Sequence, residues 1–292
     1  MPGPSAEPDI TVVVAGAAPE TSLESCLAAL ESQRQGAQFL VVESQRSGDA
    51  LRGHFPWAEF HHHPGALVPE LWRDGIARAR GRIVALTIGQ MIPAPDWVSS
   101  IIRAHQEHDA VGGAIDPGPR LRPSDWAEYF CRYTRDMAPF EPTEHDELPG
   151  DNASYKRALL VEAWEHLSDG FWEPVIHRAL RLHGVRLWHT PAMLVRFGRS
   201  AGFAAFARQR SLHGRRFPLQ RGRHFTRARH ALGVLASPAV PFLMTARVVR
   251  RVVAKGRYRM QAVASLPLIF ALGCVWALAE ARGHLDLLLR AR

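Results

Sequence analysis

Cysteine is scarce in this chain: three residues in 292, Cys26, Cys131 and Cys274, far apart. That spacing excludes a disulfide framework and any cysteine-based metal motif, and it permits a reducing compartment. No signal peptide is expected, because residues 1–9 are small, Pro-rich and acidic, with neither a basic start nor a long apolar core. Carboxylates are nearly missing from the last third. Residues 201–292 carry 17 Lys+Arg against only Glu280 and Asp286, whereas residues 1–200 carry 19 Lys+Arg against 26 Asp+Glu. A tail so one-sided in charge calls for an anionic partner. What remains is ordinary for a folded protein: 47% hydrophobic and 22% charged residues, enough for one large core or two modest ones.

The tail is also apolar, and this selects its partner. Residues 262–279 contain no charge over eighteen positions, just enough to cross a bilayer core of roughly 30 Å. Residues 231–246 are apolar too, but shorter and interrupted by Pro238 and Pro241. Six basic residues, Arg247 to Arg259, separate the two stretches, and eight arginines from Arg208 to Arg229, Arg223 among them, precede the first. Basic segments favour the cytoplasmic side. If 231–246 crossed, one basic cluster would face outward. The expectation is therefore a single span at 262–279, an in-plane or re-entrant 231–246, and an interfacial helix over 201–217 that sets Phe203, Phe206 and Leu212 against Arg208 and Arg215. Both basic clusters then meet anionic membrane lipids. Nucleic acid would account for the arginines but not for the apolar stretches, so no nucleic-acid partner is expected.

The amino-terminal part alternates strand and helix. Ile10–Val14 is a β-branched run suited to a buried parallel strand. Ala15 to Pro19 form a small-residue turn, and Thr21 and Ser22 can cap a helix with Leu23, Cys26, Leu27 and Leu30 at helical spacing. Phe39–Val42 reads as a second strand, 65–80 as a helix and 83–87 as a third strand. Such alternation predicts a mostly parallel sheet flanked by helices, with ligands beyond the carboxyl ends of the strands. Residues 1–200 form this α/β domain, and residues 201–292 form the basic, membrane-associated helical region.

Several motifs within 8–200 carry a resemblance. The strand ending at Leu86–Thr87 leads through a polar turn to Pro93-Ala94-Pro95-Asp96-Trp97, which opens a helix. Glu43 ends the second strand, followed by Ser47, Gly48 and Asp49; Gly75 and Ala79 punctuate the next helix, near Arg73. Further on come Gly150-Asp151-Asn152-Ala153-Ser154-Tyr155-Lys156-Arg157 and then Trp172-Glu173 before Leu180-Arg181-Leu182-His183-Gly184. Together these resemble the GT-A inverting glycosyltransferases of family 2. The resemblance implies a sugar donor held by Ala15, Glu43, Asp49, Arg73, Ile88, Gln90, Gly150, Asp151 and Asn152, with the last three forming a floor that opens a helix. It implies an acceptor side including Trp126, Tyr129 and Trp172. It makes Glu173 the general base, a carboxylate at a helix start beside an aromatic.

One part of the pattern is missing. In such enzymes an Asp-x-Asp after this strand holds a divalent metal on the donor diphosphate, and here those two positions read Ile88 and Gln90. A Mn²⁺ or Mg²⁺ cofactor thus lacks its usual ligands, and the leaving-group charge falls to a basic side chain, to the helix start near Asn152 or to a metal held elsewhere. The overall expectation is a hexosyltransferase-type enzyme on the cytoplasmic face of a membrane, moving sugar from a nucleotide sugar to a lipid or lipid-linked acceptor with inversion. The alternative is a non-catalytic descendant serving as a binding or scaffold module. Consecutive His61-His62-His63 point to opposite strand faces and make no metal site. His177 and His183 read as ordinary surface or half-buried histidines. Gln209-Arg210-Ser211-Leu212-His213 departs from the Gln-x-x-Arg-Trp of processive synthases, so no processive polymerase is expected.

Overall fold

The computed structural model describes residues 7–17, 19–199, 201–221 and 225–290; Arg223 of the basic cluster lies outside the described residues. The chain divides into two compact units, one of residues 7–118 and 136–198, the other of 119–135 and 199–290. Residues 119–135 therefore join the carboxy-terminal unit and not, as the sequence reading had it, the amino-terminal domain.

The first unit is a mixed sheet with helices around it. In order it comprises β1 (Ile10–Gly16), α1 (Glu20–Leu30), β2 (Ala37–Glu43), α2 (Asp49–His54), β3 (Glu59–His62), α3 (Val68–Arg78), β4 (Ile83–Ile88), β5 (Met91–Pro93), α4 (Trp97–Ala104) and β6 (Ala110–Pro117). The chain leaves this unit through α5 (Pro123–Tyr133) and returns as β7 (Thr143–Glu144), β8 (Asn152–Lys156), α6 (Arg157–Glu162), α7 (Glu173–Leu182) and β9 (Leu187–Phe197). Strand order is β3-β2-β1-β4-β8-β6-β9-β5, with β7 also on β9. The first four strands are parallel, and β8 runs antiparallel between β4 and β6. All seven residues of β1 and all six of β4 are buried, which is why both read as unbroken apolar runs. Gly75 on α3 sits so close to Val13 on β1 that a Cβ there would collide with it. A glycine at this point lets the helix rest directly on the sheet.

Two sequence expectations change here. Pro19 precedes α1, so Thr21 and Ser22 lie within its first turn, and no side chain caps the helix. More importantly, Asn152 does not open a helix. It begins the buried strand β8, and the following helix starts only at Arg157, at the strand's other end. The alternation Asn152, Ser154 against Ala153, Tyr155 lets both faces of this strand be filled, which a helix would not.

The second unit is helical: α5, α8 (Phe203–Arg221), α9 (Arg227–Ala236), α10 (Val240–Lys255) and α11 (Arg259–Arg290). Two stretches, Arg227–Lys255 and Arg259–Leu289, are long and apolar enough to cross a membrane by length and composition. Pro238 and Pro241 do not break the first of these. Pro238 lies in a tight 3-10 turn, Ser237–Ala239, and Pro241 in the first turn of α10, where no intrahelical N–H is needed. Gly256, with φ of 68°, ends α10 in the left-handed conformation that suits glycine. On α8, Phe206 is buried while Arg208 and Arg215 are exposed, and Leu212, grouped with the apolar residues from sequence, is exposed as well.

Candidate functional site

The carboxyl ends of β1, β2 and β4 lie side by side. Gly16 pairs with Glu43, Ala15 with Ile88, and Thr87 with Asn152 on the antiparallel β8. This register gathers Ala15, Glu43, Ile88 and Asn152, four of the donor-side candidates, along one edge of the sheet.

Glu43 is fully buried. Its carboxylate accepts from the Ser47 hydroxyl at 2.7 Å and the Ser47 N–H at 3.2 Å, and it is paired with Arg52 from α2. Arg52 in turn lies over the Phe60 ring. A buried carboxylate requires such partners. Glu43 therefore braces the loop after β2, while Asp49 at the start of α2 stands exposed, 4.0 Å from Arg46. Ile88 is 3% exposed and presents no oxygen, and Gln90 is half-buried in the turn after β4, its carbonyl accepting from Gly198 N–H at 2.8 Å.

Beside this edge runs the segment 148–152. Asn152 is buried and uses its whole amide within the protein. Its Oδ1 accepts from Trp97 Nε1 at 2.8 Å, and its Nδ2 donates to the carbonyls of Ala114 at 2.8 Å and Met193 at 3.0 Å. It ties α4, β6 and β9 beneath the turn. Asp151 is buried as well. Gly150 is hemmed in. An added methyl would lie 2.5 Å from Glu173 Oε1 and 2.9 Å from the Trp72 ring, so the Glu173 carboxylate rests against this glycine. Trp72, from α3, donates its Nε1 proton to Thr87 O at 2.9 Å, which anchors the indole at the end of β4.

Glu173 is the first residue of α7, followed by Pro174. A carboxylate there is favoured by the helix dipole. Trp172, half-buried, donates its indole proton to Asp169 O at 2.9 Å. Below Glu173 lies a polar chain that the sequence did not reveal. Leu148 N–H donates to His177 Nδ1 at 3.4 Å, and His177 Nε2 lies 2.7 Å from Tyr155 Oη. A backbone N–H can only donate, so Nδ1 is the acceptor and Nε2 carries the proton toward Tyr155. Burial, and then the nearby Glu173 charge, raise the Tyr155 phenol well above its ordinary value. Tyr155 therefore stays protonated. His177 is fully buried, unlike the surface or half-buried histidine expected, whereas His183 is exposed at the end of α7.

Arg73, one residue on from Trp72, stacks over Trp164 at 5.5 Å. Trp126 and Tyr129, read as part of the acceptor side, belong to α5 in the second unit. There Trp126 contacts Phe130 and Tyr258, and Tyr129 is completely buried. The side chains that sequence reading missed are Trp72, Ser47, Arg52, Tyr155 and His177. Ser47 and Tyr155 stood within the motifs without a role of their own, and Trp72 had a signal in its apolar helical spacing with Leu71 and Ile76.

A carboxylate-held metal does not fit this edge as built. Ile88 and Gln90 offer no anionic oxygen, and Glu43 is committed to Arg52 and Ser47. Among the described residues no group of three or more His, Cys, Asp or Glu side chains could hold a metal ion.

No protein-family model matches the chain, and no curated protein matches its sequence. Among solved structures it is similar to the crystal structure of GalNAc-T7 with UDP, GalNAc and Mn²⁺. The TM-score is 0.51 at 11% identity, over 68% of this chain and 45% of that one. The chain thus spans under half the length of this neighbour. The likeness shows a GT-A-like fold, here followed by two apolar carboxy-terminal helical stretches.

Proposed function

We propose that the chain transfers a sugar from a nucleotide sugar to a lipid or lipid-linked acceptor at the cytoplasmic face of a membrane, inverting the anomeric carbon. The observation that carries this reading is the position of Glu173. Its carboxylate starts α7 and rests on the Gly150 turn, alongside the strand ends where α/β sheets of this class bind ligands. The UDP and GalNAc of the similar structure support a nucleotide-sugar partner.

In this reading the reaction is a single displacement. The acceptor hydroxyl oxygen forms a bond to the anomeric carbon as the bond to the diphosphate oxygen breaks. Glu173 takes the hydroxyl proton, and the nucleoside diphosphate leaves with the electron pair. His177, on the same helix as Glu173, is bonded to Tyr155, whose phenol keeps its proton. Arg73, Gln90 and the backbone of the Gly150 turn are the groups assigned to the donor.

A second reading keeps the fold and drops the chemistry: a transferase-shaped binding or scaffold module at a membrane. The apolar Ile88 and the internally committed Glu43 favour it, since neither assists a leaving diphosphate. The two readings separate in one assay. Detergent-solubilised protein is tested for nucleotide-sugar transfer and hydrolysis, with and without Mn²⁺ or Mg²⁺, beside Glu173→Gln. Turnover that survives chelation and falls by about 10²-fold or more in Glu173→Gln supports transfer with Glu173 as base. Absence of turnover and of nucleotide binding with every common donor supports the scaffold.

A further inference from the structure

We propose that the carboxy-terminal unit seats in the plane of one membrane leaflet and does not cross the bilayer. This rests on the membrane reading above and concerns how that membrane is engaged.

The argument begins with which apolar groups are left uncovered. Among the described residues, twelve of the fifteen exposed large hydrophobic side chains belong to this unit. They are not scattered. Leu232, Leu235, Phe242 and Leu243 form one outer stripe along α9 and α10, and no charged residue intervenes between Arg229 and Arg247. Leu278 and Leu285 add to it from α11. A surface of this kind, bounded at its ends by Arg227, Arg229, Arg247 and Arg250, is complementary to hydrocarbon edged by anionic headgroups.

Composition alone would let these helices span. The position of α8 argues otherwise. On α11, His284 meets His230 and Gly233, Gly273 meets Pro241, and Phe270 meets Phe242. So α9 and α10 run antiparallel along 270–284. Over that same stretch α8 runs parallel to α11. Arg210 lies over Trp276 and donates to Leu272 O, Gly214 abuts Ala279, Gly283 abuts Arg215 O, and Arg215 pairs with Asp286 at 2.7 Å. The arginine helix and the apolar helices therefore occupy one level. A hydrocarbon slab crossed by 230–246 would also enclose Arg208, Arg215 and Arg216, all on the exposed side of α8, a strongly unfavourable placement.

Laid flat, the same unit keeps its apolar stripes and the α8 arginines at different depths. At about 100° per residue, the α11 residues that touch α8 (Leu272, Trp276, Ala279, Gly283) form one stripe. Those that touch α9 and α10 form a second, and Leu278, Leu285 and Leu289 form a third that faces neither. The leucine stripe of α11 and the outer face of α9–α10 can enter the acyl boundary together, while the α8 arginines stay at the headgroups.

The test is labelling of the full chain in sealed vesicles prepared from expressing cells. Cysteine is introduced singly at five exposed positions: Ala228→Cys and Ala254→Cys at the two ends of the α9–α10 stretch, Gln261→Cys and Arg282→Cys on either side of the apolar run 262–279 of α11, and Leu243→Cys in the middle of the α9–α10 stretch. A membrane-impermeant maleimide is added outside, modification is read peptide by peptide so that the native cysteines are counted separately, and vesicles opened with detergent give the total. In-plane seating predicts that Ala228→Cys, Ala254→Cys, Gln261→Cys and Arg282→Cys share one side of the membrane and label alike, while Leu243→Cys is protected until detergent is added. Labelling of only one end of either stretch from one side, with its other end reached only after opening, overturns the proposal and leaves membrane attachment standing. Failure to float with vesicles, with all five positions reactive, overturns the membrane reading itself. Protection of Leu243→Cys in protein that does not float assigns the face to a second copy of the chain and overturns the proposal as well.

Discussion

At Gly150 a single methyl group meets both the Glu173 carboxylate and the Trp72 ring. Trp72 is pinned through Thr87 O, so the Glu173 carboxylate, at the end of a flexible side chain, is the neighbour that must give way. Gly150→Ala is expected to displace the carboxylate and lower turnover on the order of 10²-fold, at a cost to stability of about 1–3 kcal/mol. Steady-state rates together with thermal unfolding check this, and near-normal turnover would separate Gly150 from the chemistry. At this scale the sequence was legible where one residue type carries one meaning. Glu173 and Gly150 stand out as a carboxylate and a glycine in motif positions. The fate of Glu43 was not legible, because its partner Arg52 lies nine residues on, in a short helix with no apolar periodicity to announce it. Nor could a string of letters tell that His177 is buried and bonded to Tyr155, twenty-two residues away.

Among the elements, β8 shows best where pattern reading fails. Gly150-Asp151-Asn152 looks like a cap, since Asp and Asn accept hydrogen bonds from helix N–H groups. In the fold, Asn152 instead spends its amide on Trp97, Ala114 and Met193. The competing interaction is tertiary and lies between residues 38 and 55 positions apart, beyond any local window. Asn152→Ala should therefore act as a core mutation. It removes three buried hydrogen bonds and leaves two carbonyls and an indole N–H without their partner. The expected loss is about 2–4 kcal/mol, read as a lower unfolding midpoint in denaturant at unchanged slope. Strands β1, β2 and β4, by contrast, were found from sequence to within about two residues of their ends, because strands buried on both faces leave an unmistakable apolar run.

Across the whole molecule, acid stability follows from histidines kept neutral inside the fold. His105, at the end of α4, lies 2.8 Å from Ser154 Oγ, and burial, with a lesser push from Lys156, lowers its pKa to about 4. The unfolded chain binds a proton at its ordinary value of 6.5, while the folded chain resists until about 4. Stability contributed by neutral His105 is thus complete above 6.5 and falls as pH drops through that window, by up to about 3 kcal/mol. Denaturant melts at successive pH values, compared with His105→Gln, should show the slope in the parent and its reduction in the variant.

The chain also visits the carboxy-terminal unit twice. Helix α5 is threaded into it between β6 and β7, where Trp126 meets Tyr258 and Lys255 Nζ donates to Arg135 O. On a ribosome the order of emergence then matters. Trp126, Tyr129 and Phe130 are made well before α8 and α11, the helices that cover them, so every nascent chain passes through an interval with an uncovered aromatic helix in its middle. A shortened gene ending near Gly198 would make that interval permanent. Preparing the sheet unit by itself requires two cuts, one that stops the chain and one that excises residues 119–135.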